Sequence, residues 1–206
     1  MRVAQSGASG CQIGSSRKGL INNVAQLAKR AATDLRQRNG KDDTNSKFDR
    51  ERTMIRLALY QPDIAQNAGT ILRLGACLGV PVHIIHPAGF ALSDRTLRRA
   101  GMDYLDRAER VEHTDWAAFE KWVEKDGGRL VALTTRGETR LPDFAFRPDD
   151  ILLLGRESAG LPDPVMAGAD QRLRIPLKTG TRSLNVAVAA GIATAEALRQ
   201  TGGFAP

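Results

Sequence analysis

Short apolar runs alternate with helical patterns from Met54 onward. IRLALY (55–60), VHIIH (82–86), RLVALTT (129–135), ILLLG (151–155) and QRLRIP (171–176) read as strands, with a weaker one at ERVEH (109–113). Helical periodicity begins near Asn67, Asp94, Asp115 and Ser183. Strands that are apolar throughout, rather than alternating, belong to parallel sheets covered on both faces, so the predicted class is α/β with a parallel sheet. Before Met54 the pattern is different. One helical stripe (Val24, Leu27, Ala28, Ala31, Leu35) precedes the charged stretch RNGKDDTNSKFDRER, which buries nothing. The expected organisation is a mostly disordered or partly helical basic extension at 1–53 and a folded domain at 54–206.

Composition narrows this picture in three ways. A chain of 206 residues that is 42% hydrophobic can bury one sizeable core but hardly two. No apolar run approaches the roughly 18 to 20 residues of a membrane span, and the start MRVAQSGASG has no apolar signal region, so a cytoplasmic location with no membrane partner is expected. The net charge of +7 invites a nucleic-acid reading, but residues 1–53 hold 11 of the 30 Lys and Arg against 5 of the 23 Asp and Glu. Bulk basicity therefore belongs to the extension, which reads either as an arm for RNA phosphates or as added residues without consequence for function. Any RNA site on the domain must rest on local clusters.

Cys11 and Cys77 form neither a disulfide framework nor a zinc pattern, and Cys77 reads as a small core residue. His83 and His86 flank a strand and His113 lies by a Thr-Asp helix start, so no metal is expected. The first strand-to-helix turn, YQPDIAQNAGTILR, has neither G-x-G-x-x-G nor G-x-x-x-x-G-K-[ST], which argues against a nucleotide cofactor at that turn. Glycine and turn residues gather late instead, in ILLLGRESAGLPD and RIPLKTGTRSLNVAVAAG. Open α/β sheets hold ligands beyond the C-terminal ends of their strands, so a site in the C-terminal half is expected.

These residues also carry a resemblance. Asn67, Gly69 and Arg73 in PDIAQNAGTILR, LLGRESAGLP at 153–162 and IPLKTGTRSLNVAVAAG at 175–191 resemble the three motifs of the SPOUT methyltransferases. With HPAGFALSDRTLRRAGMDY (86–104) they are most similar to the TrmL type, over nearly all of 54–206. The resemblance implies a deep C-terminal trefoil knot, S-adenosylmethionine bound in a bent shape against the knotted loops, and a homodimer whose sites draw on both chains. The implied reaction is 2'-O-methylation of the wobble nucleotide, cytidine or a modified uridine, in leucine tRNA. A ribosomal RNA methyltransferase of the same fold and a catalytically silent RNA-binding dimer are the alternatives.

Motif matching implies a cofactor site at Leu133, Gly155, Ile175 and Ser183, with Gly160, Leu161, Leu177 and Leu184 around it. Apolar walls and close backbone suit an adenine ring, although Leu133 and Ile175 also read as strand core. Arg73, Glu157, Ser183 and Asn185 are the candidate catalytic residues. A guanidinium is a poor proton acceptor at neutral pH, so Arg73 is expected to bind phosphate and stabilise alkoxide charge, with the proton passing to phosphate or water. Asn67 reads as a helix N-cap and as a substrate contact at once, and Ser183 as the N-cap of the last helix, with Asn185 in its first turn. Val186 to Ala190 then belong to the core or a dimer contact. Arg95, Arg98, Arg99, Lys178 and Arg182 form the expected phosphate-binding cluster. Ser158 and Ala159 depart from the residues of related sequences, which leaves the substrate contacts of that loop open.

Overall fold

The computed structural model describes residues 54–91 and 107–205. The stripe at 24–35, the helix expected near Asp94, and Arg95, Arg98 and Arg99 lie outside them. Within the described residues the elements are β1 (Arg56–Tyr60), α1 (Ala65–Leu78), β2 (Val82–Ile85), β3 (Arg110–His113), α2 (Trp116–Asp126), β4 (Leu130–Leu133), β5 (Thr139–Arg140), β6 (Ile151–Leu154), α3 (Asp163–Ala167), β7 (Gln171–Arg174) and α4 (Val186–Thr201). The strands form one sheet in the order β3-β2-β1-β6-β4-β7-β5, every pair parallel.

Both faces of this sheet are covered, as continuous apolar strands require. Leu57 and Leu59 of β1, Val131 of β4 and Leu152 and Leu154 of β6 point to one face, where Ile71 and Leu72 of α1 and Ala190, Ala193 and Ala197 of α4 close over them. Their neighbours Ala58, Tyr60, Ala132, Ile151 and Leu153 point to the other, under Phe119 of α2 and Val165 and Met166 of α3. Successive strand residues face opposite sides, so both sets must be apolar. Burial of a Leu or Ile side chain contributes about 1.5–3 kcal/mol, and these two layers hold the fold together.

The end of the sheet where the strands begin is tied by charge. Buried Arg56 donates to Asp126 at 2.6 Å and to the Asp149 carbonyl at 3.2 Å. Arg129 makes a two-pronged pair with the fully buried Asp150, at 2.7 and 2.8 Å. The opposite end of the sheet is left for loops.

Several sequence expectations need correction. QRLRIP and RLVALTT end as strands at Arg174 and Leu133, because the chain leaves the sheet there to line a cavity. Helix α1 begins at Ala65 behind Ile64, and Asn67 is its third residue rather than its cap. Helix α4 begins at Val186, and Asn185 itself, not Ser183, is the N-cap. The short β5 and α3 were beyond the reach of periodicity, which needs more than two or five residues. Asp115 caps α2 through Ala118 N–H at 2.8 Å, as its position implies. Cys77 is exposed on α1 rather than in the core. His83 does not flank β2 but lies buried within it, 2.9 Å from the buried His113 at the end of β3. Phe119 and Trp122 of α2 pack on both imidazoles. Burial pushes the His83 imidazole down to about 3 and lowers His113 as well, so both rings are neutral.

Candidate active site

The loops at the C-terminal ends of β4, β6 and β7 enclose a cavity of about 550 Å³. The exits of β6 and β7, singled out by their glycines, are not adjacent; β4 lies between them. Its exit, Leu133 to Arg136, therefore becomes part of the wall. The remaining wall comes from Ile64 and Asn67 at the head of α1, from Leu154 and most of the turn after it as far as Leu161, and from residues between Leu173 and Leu177 and between Ser183 and Ala189.

Local chemistry explains how these loops hold their shape. After β6, Arg156 and Gly160 exchange backbone hydrogen bonds at 3.1 and 2.8 Å, and Gly160 turns with φ +70°. A Cβ on Gly155 would lie 2.5 Å from the Gly160 carbonyl carbon and 2.6 Å from the Leu161 nitrogen, so the turn closes only over glycine. In the last loop the Lys178 carbonyl accepts from Thr181 N–H and Oγ1 at 3.1 and 2.7 Å, across Gly180 at φ +90°.

On the rim a chain of amides joins three motifs that are distant in sequence. The Asn185 Oδ1 accepts from Ala187 and Val188 N–H at 2.8 and 3.3 Å, capping α4. Its Nδ2 donates to Asn67 Oδ1 at 3.0 Å, and Asn67 Nδ2 donates to Glu157 Oε1 at 3.0 Å. The second Glu157 oxygen accepts from Asp63 N–H at 2.8 Å. Both ends dictate the amide orientations: helix N–H groups demand an oxygen at one end, and a carboxylate demands N–H at the other.

The expected cofactor residues Leu133, Gly155, Gly160, Leu161, Ile175, Leu177, Ser183 and Leu184 all line this cavity, together with Glu157, Asn67 and Asn185. Arg73 does not; it lies on the exposed side of α1. Lys178 and Arg182 are exposed on the last loop and are also outside the lining. Thr134, Thr135 and Arg136 were missed, although TTRG directly after an apolar strand marks a strand exit as clearly as the later glycines do. Arg136 spans the rim, donating to Asp163 at 3.0 Å and to the Leu161 carbonyl at 3.4 Å. Asp63 and Ser158 were not singled out as partners, since nothing in their spacing relates them. Among the described residues no group of three or more His, Cys, Asp or Glu could hold a metal ion.

Comparison with known proteins agrees with this architecture. Residues 54–195 match the SpoU rRNA Methylase family, and the chain belongs to it. Its relatives include the tRNA (cytidine(34)-2'-O)-methyltransferase of Beijerinckia indica subsp. indica, 60% identical over 149 residues, which span 72% of this chain and 93% of that protein. The enzyme of the same name from Ancylobacter novellus is 58% identical over 151 residues, 73% of this chain and 96% of its own. A solved structure concerned with 2-OH methylation of C/U34 on tRNA superposes with a TM-score of 0.68 at 46% identity, covering 72% of this chain and 97% of that one. The SpoU methyltransferase AviRb from Streptomyces viridochromogenes, solved in complex with AdoMet, gives a TM-score of 0.66 at 26% identity over 72% of this chain and 61% of AviRb. The resemblance drawn from the three motifs is borne out at the level of the family.

Proposed function

We propose that this protein is an S-adenosylmethionine-dependent tRNA 2'-O-methyltransferase acting on the ribose of wobble nucleotide 34, cytidine or a modified uridine, of leucine tRNA. The observation that carries this reading is the cavity: apolar walls and a glycine-only turn, bordered by a polar rim that joins all three motifs. The names of its close relatives support the choice of tRNA over ribosomal RNA.

The residues present fit the cofactor. About 550 Å³ suits a nucleoside-sized ligand, and Leu133, Leu161, Ile175 and Leu184 supply walls for a purine. When bound, the cofactor supplies a sulfonium-activated methyl group. In-line approach of a hydroxyl to that methyl needs positioning more than a strong base. Ser183 and Asn185, at the mouth of the cavity, are assigned to orient the ribose. Both Glu157 oxygens already accept hydrogen bonds, so its role is that of a fixed negative wall. Arg73 is assigned to the phosphate beside the reacting nucleotide, where a permanent cation also stabilises alkoxide charge; the proton leaves to phosphate or water.

The proposal includes a homodimer, a deep trefoil knot and a cytoplasmic location. Val188 and Ile192 of α4 are 51% and 40% exposed in the single chain, one turn apart on a helix that also bears the site's cap. A dimer covering this face brings each cavity close to residues of the partner, including an Arg73 that lies outside its own chain's lining. The return of the chain through 175–185 to lay α4 on β6 and α1 supports the knot. No helix among the described residues is long and apolar enough to cross a membrane. Residues 54–206 are taken as the catalytic domain, since the family match begins at residue 54, and Arg95, Arg98, Arg99, Lys178 and Arg182 as phosphate contacts.

The test is incubation of the protein with methyl-labelled S-adenosylmethionine and total RNA, followed by mapping of the labelled nucleoside. Label on the ribose of nucleotide 34 is expected. Label confined to ribosomal RNA would overturn the tRNA assignment, and no label anywhere would overturn the enzyme. For the dimer, sedimentation should give twice the chain mass, and Ile192→Glu should halve it.

A further inference from the structure

The Glu157 turn is gripped by a residue that does not line the cavity. Asp63, in the turn between β1 and α1, donates its backbone N–H to Glu157 at 2.8 Å. One oxygen of its side chain accepts from Arg156 Nε and Nη2 at 3.2 and 2.8 Å. The other accepts from Ser158 N–H at 3.2 Å and from the Ser158 hydroxyl. A single residue thus holds three consecutive residues, and the turn they form carries Gly155, Arg156, Glu157, Ala159 and Gly160 into the cavity wall.

Among the described residues the same turn has no other comparable tie to the first strand's exit. Its own backbone pair closes it locally, and Asn67 reaches only Glu157. Without the carboxylate, the exposed Ser158 hydroxyl would turn to solvent and the half-buried Arg156 guanidinium, at the cavity wall, would lose its fixed partner. Behind Asp63, Gly89 N–H donates to the Pro62 carbonyl at 2.9 Å, and a Cβ at 89 would lie 3.1 Å from Asp63 Cα. Residue 63 is therefore backed as well as bonded, and a short carboxylate on a fixed backbone makes a rigid anchor.

We propose that Asp63 is a positioning residue, which sets the place of the Glu157 turn and so the shape of the cofactor cavity, acting through Arg156 and Ser158 without touching the ligand. This rests on the methyltransferase reading only for its functional consequence. Arg156 and Ser158 hold the Asp63 carboxyl down to about 2, so the anchor stays charged throughout the neutral range.

The test uses the full chain carrying Asp63→Asn, and separately the double variant Arg156→Gln with Ser158→Ala, which removes both partners and leaves Asp63 itself in place. An amide at 63 cannot accept from Arg156 and Ser158 together on both atoms. Amide exchange of residues 155–161 should quicken about tenfold in each, while exchange in β1, β2 and β6 and the unfolding midpoint stay near wild type. Affinity for S-adenosylmethionine should fall about tenfold in Asp63→Asn, whose substituted side chain lies outside the cavity lining. Combining all three substitutions should add little beyond either set, as one network requires. Unchanged exchange at 155–161, or fully additive effects, would overturn the anchor. A quickened turn in the variants, with a wild-type protein that binds no S-adenosylmethionine, would retain the anchor and remove the proposed function instead. General acceleration of exchange in Asp63→Asn would leave the double variant to decide, since it keeps Asp63 and its backbone contact to Glu157 unchanged.

Discussion

Asn185 serves two partners with the two ends of one amide, and substitution can separate them. Asn185→Ala removes both: the oxygen that caps α4 through Ala187 and Val188, and the N–H that reaches Asn67. Loss of the cap costs about 1 kcal/mol, and the exposed side-chain bond contributes about 0.5–1 kcal/mol more. For a domain near 150 residues, each kcal/mol corresponds to roughly 2–4 °C, so the melting midpoint should fall by about 3–8 °C. Asn185→Asp keeps a capping oxygen and adds a charge favoured at a helix N-terminus by about 0.3–1 kcal/mol. It has no N–H for Asn67. If the Asn67 amide turned to donate to the new carboxylate, its oxygen would face that of Glu157, so the relay breaks in either orientation. Asn185→Ser also retains a cap without the amide donor and adds no charge. The expected pattern is a midpoint near wild type for the Asp variant, one lowered by about 1–4 °C for the Ser variant, a lower one still for the Ala variant, and at least tenfold loss of methyl transfer in all three. Thermal melts and turnover with a labelled methyl donor and tRNA read the two effects apart. If the Asp variant melts as low as the Ala variant, the cap is misassigned; if the Ser variant transfers methyl at the wild-type rate, the relay plays no part in the site.

Two further outcomes follow from particular contacts. Gly155→Ala places a Cβ 2.5 Å from backbone that cannot yield like a flexible side chain, so the β6 turn must open. Cofactor affinity measured by calorimetry should drop at least tenfold, and wild-type affinity would show that the turn has slack. The His83 and His113 pair makes a pH prediction. Burial lowers both rings in the folded protein, His83 to about 3, whereas in the unfolded chain a histidine titrates near 6.5. The unfolded state therefore binds more protons as pH falls, and stability is complete above about pH 6.5 and declines below it. His83 alone contributes a loss of about 1.4 kcal/mol per pH unit, or roughly 2 kcal/mol by pH 5. A urea midpoint unchanged between pH 7 and pH 5 would refute the neutral pair.

How much of this was legible beforehand depended on the range of the interaction involved. The five main strands and α2 were readable because apolar runs and an Asp cap are local signals, set by neighbouring residues alone. The cavity was readable through glycine-rich strand exits and the motif resemblance, and all eight residues expected to hold the cofactor line it. Asn67 and Ser183 were misread as caps for a reason of the same kind. Either residue suits an N-cap in isolation, but Asn67 is engaged by Glu157 and Asn185 from 90 and 118 positions away. His83 looked like a strand flank because its partner His113 is on another strand.

The order of apolar and polar residues was thus sufficient to determine the parallel sheet, its two covered faces and the half of the domain that holds the site. It could not determine that β4 inserts between β6 and β7, which brings Thr134 to Arg136 to the wall. Nor could it pair Asp63 with Arg156 and Ser158, or set the direction in which each rim amide points. Hydrophobic periodicity records which face of an element is buried, whereas hydrogen-bond partners are chosen by where the strands end in space. That is a property of the folded sheet, not of any segment within it.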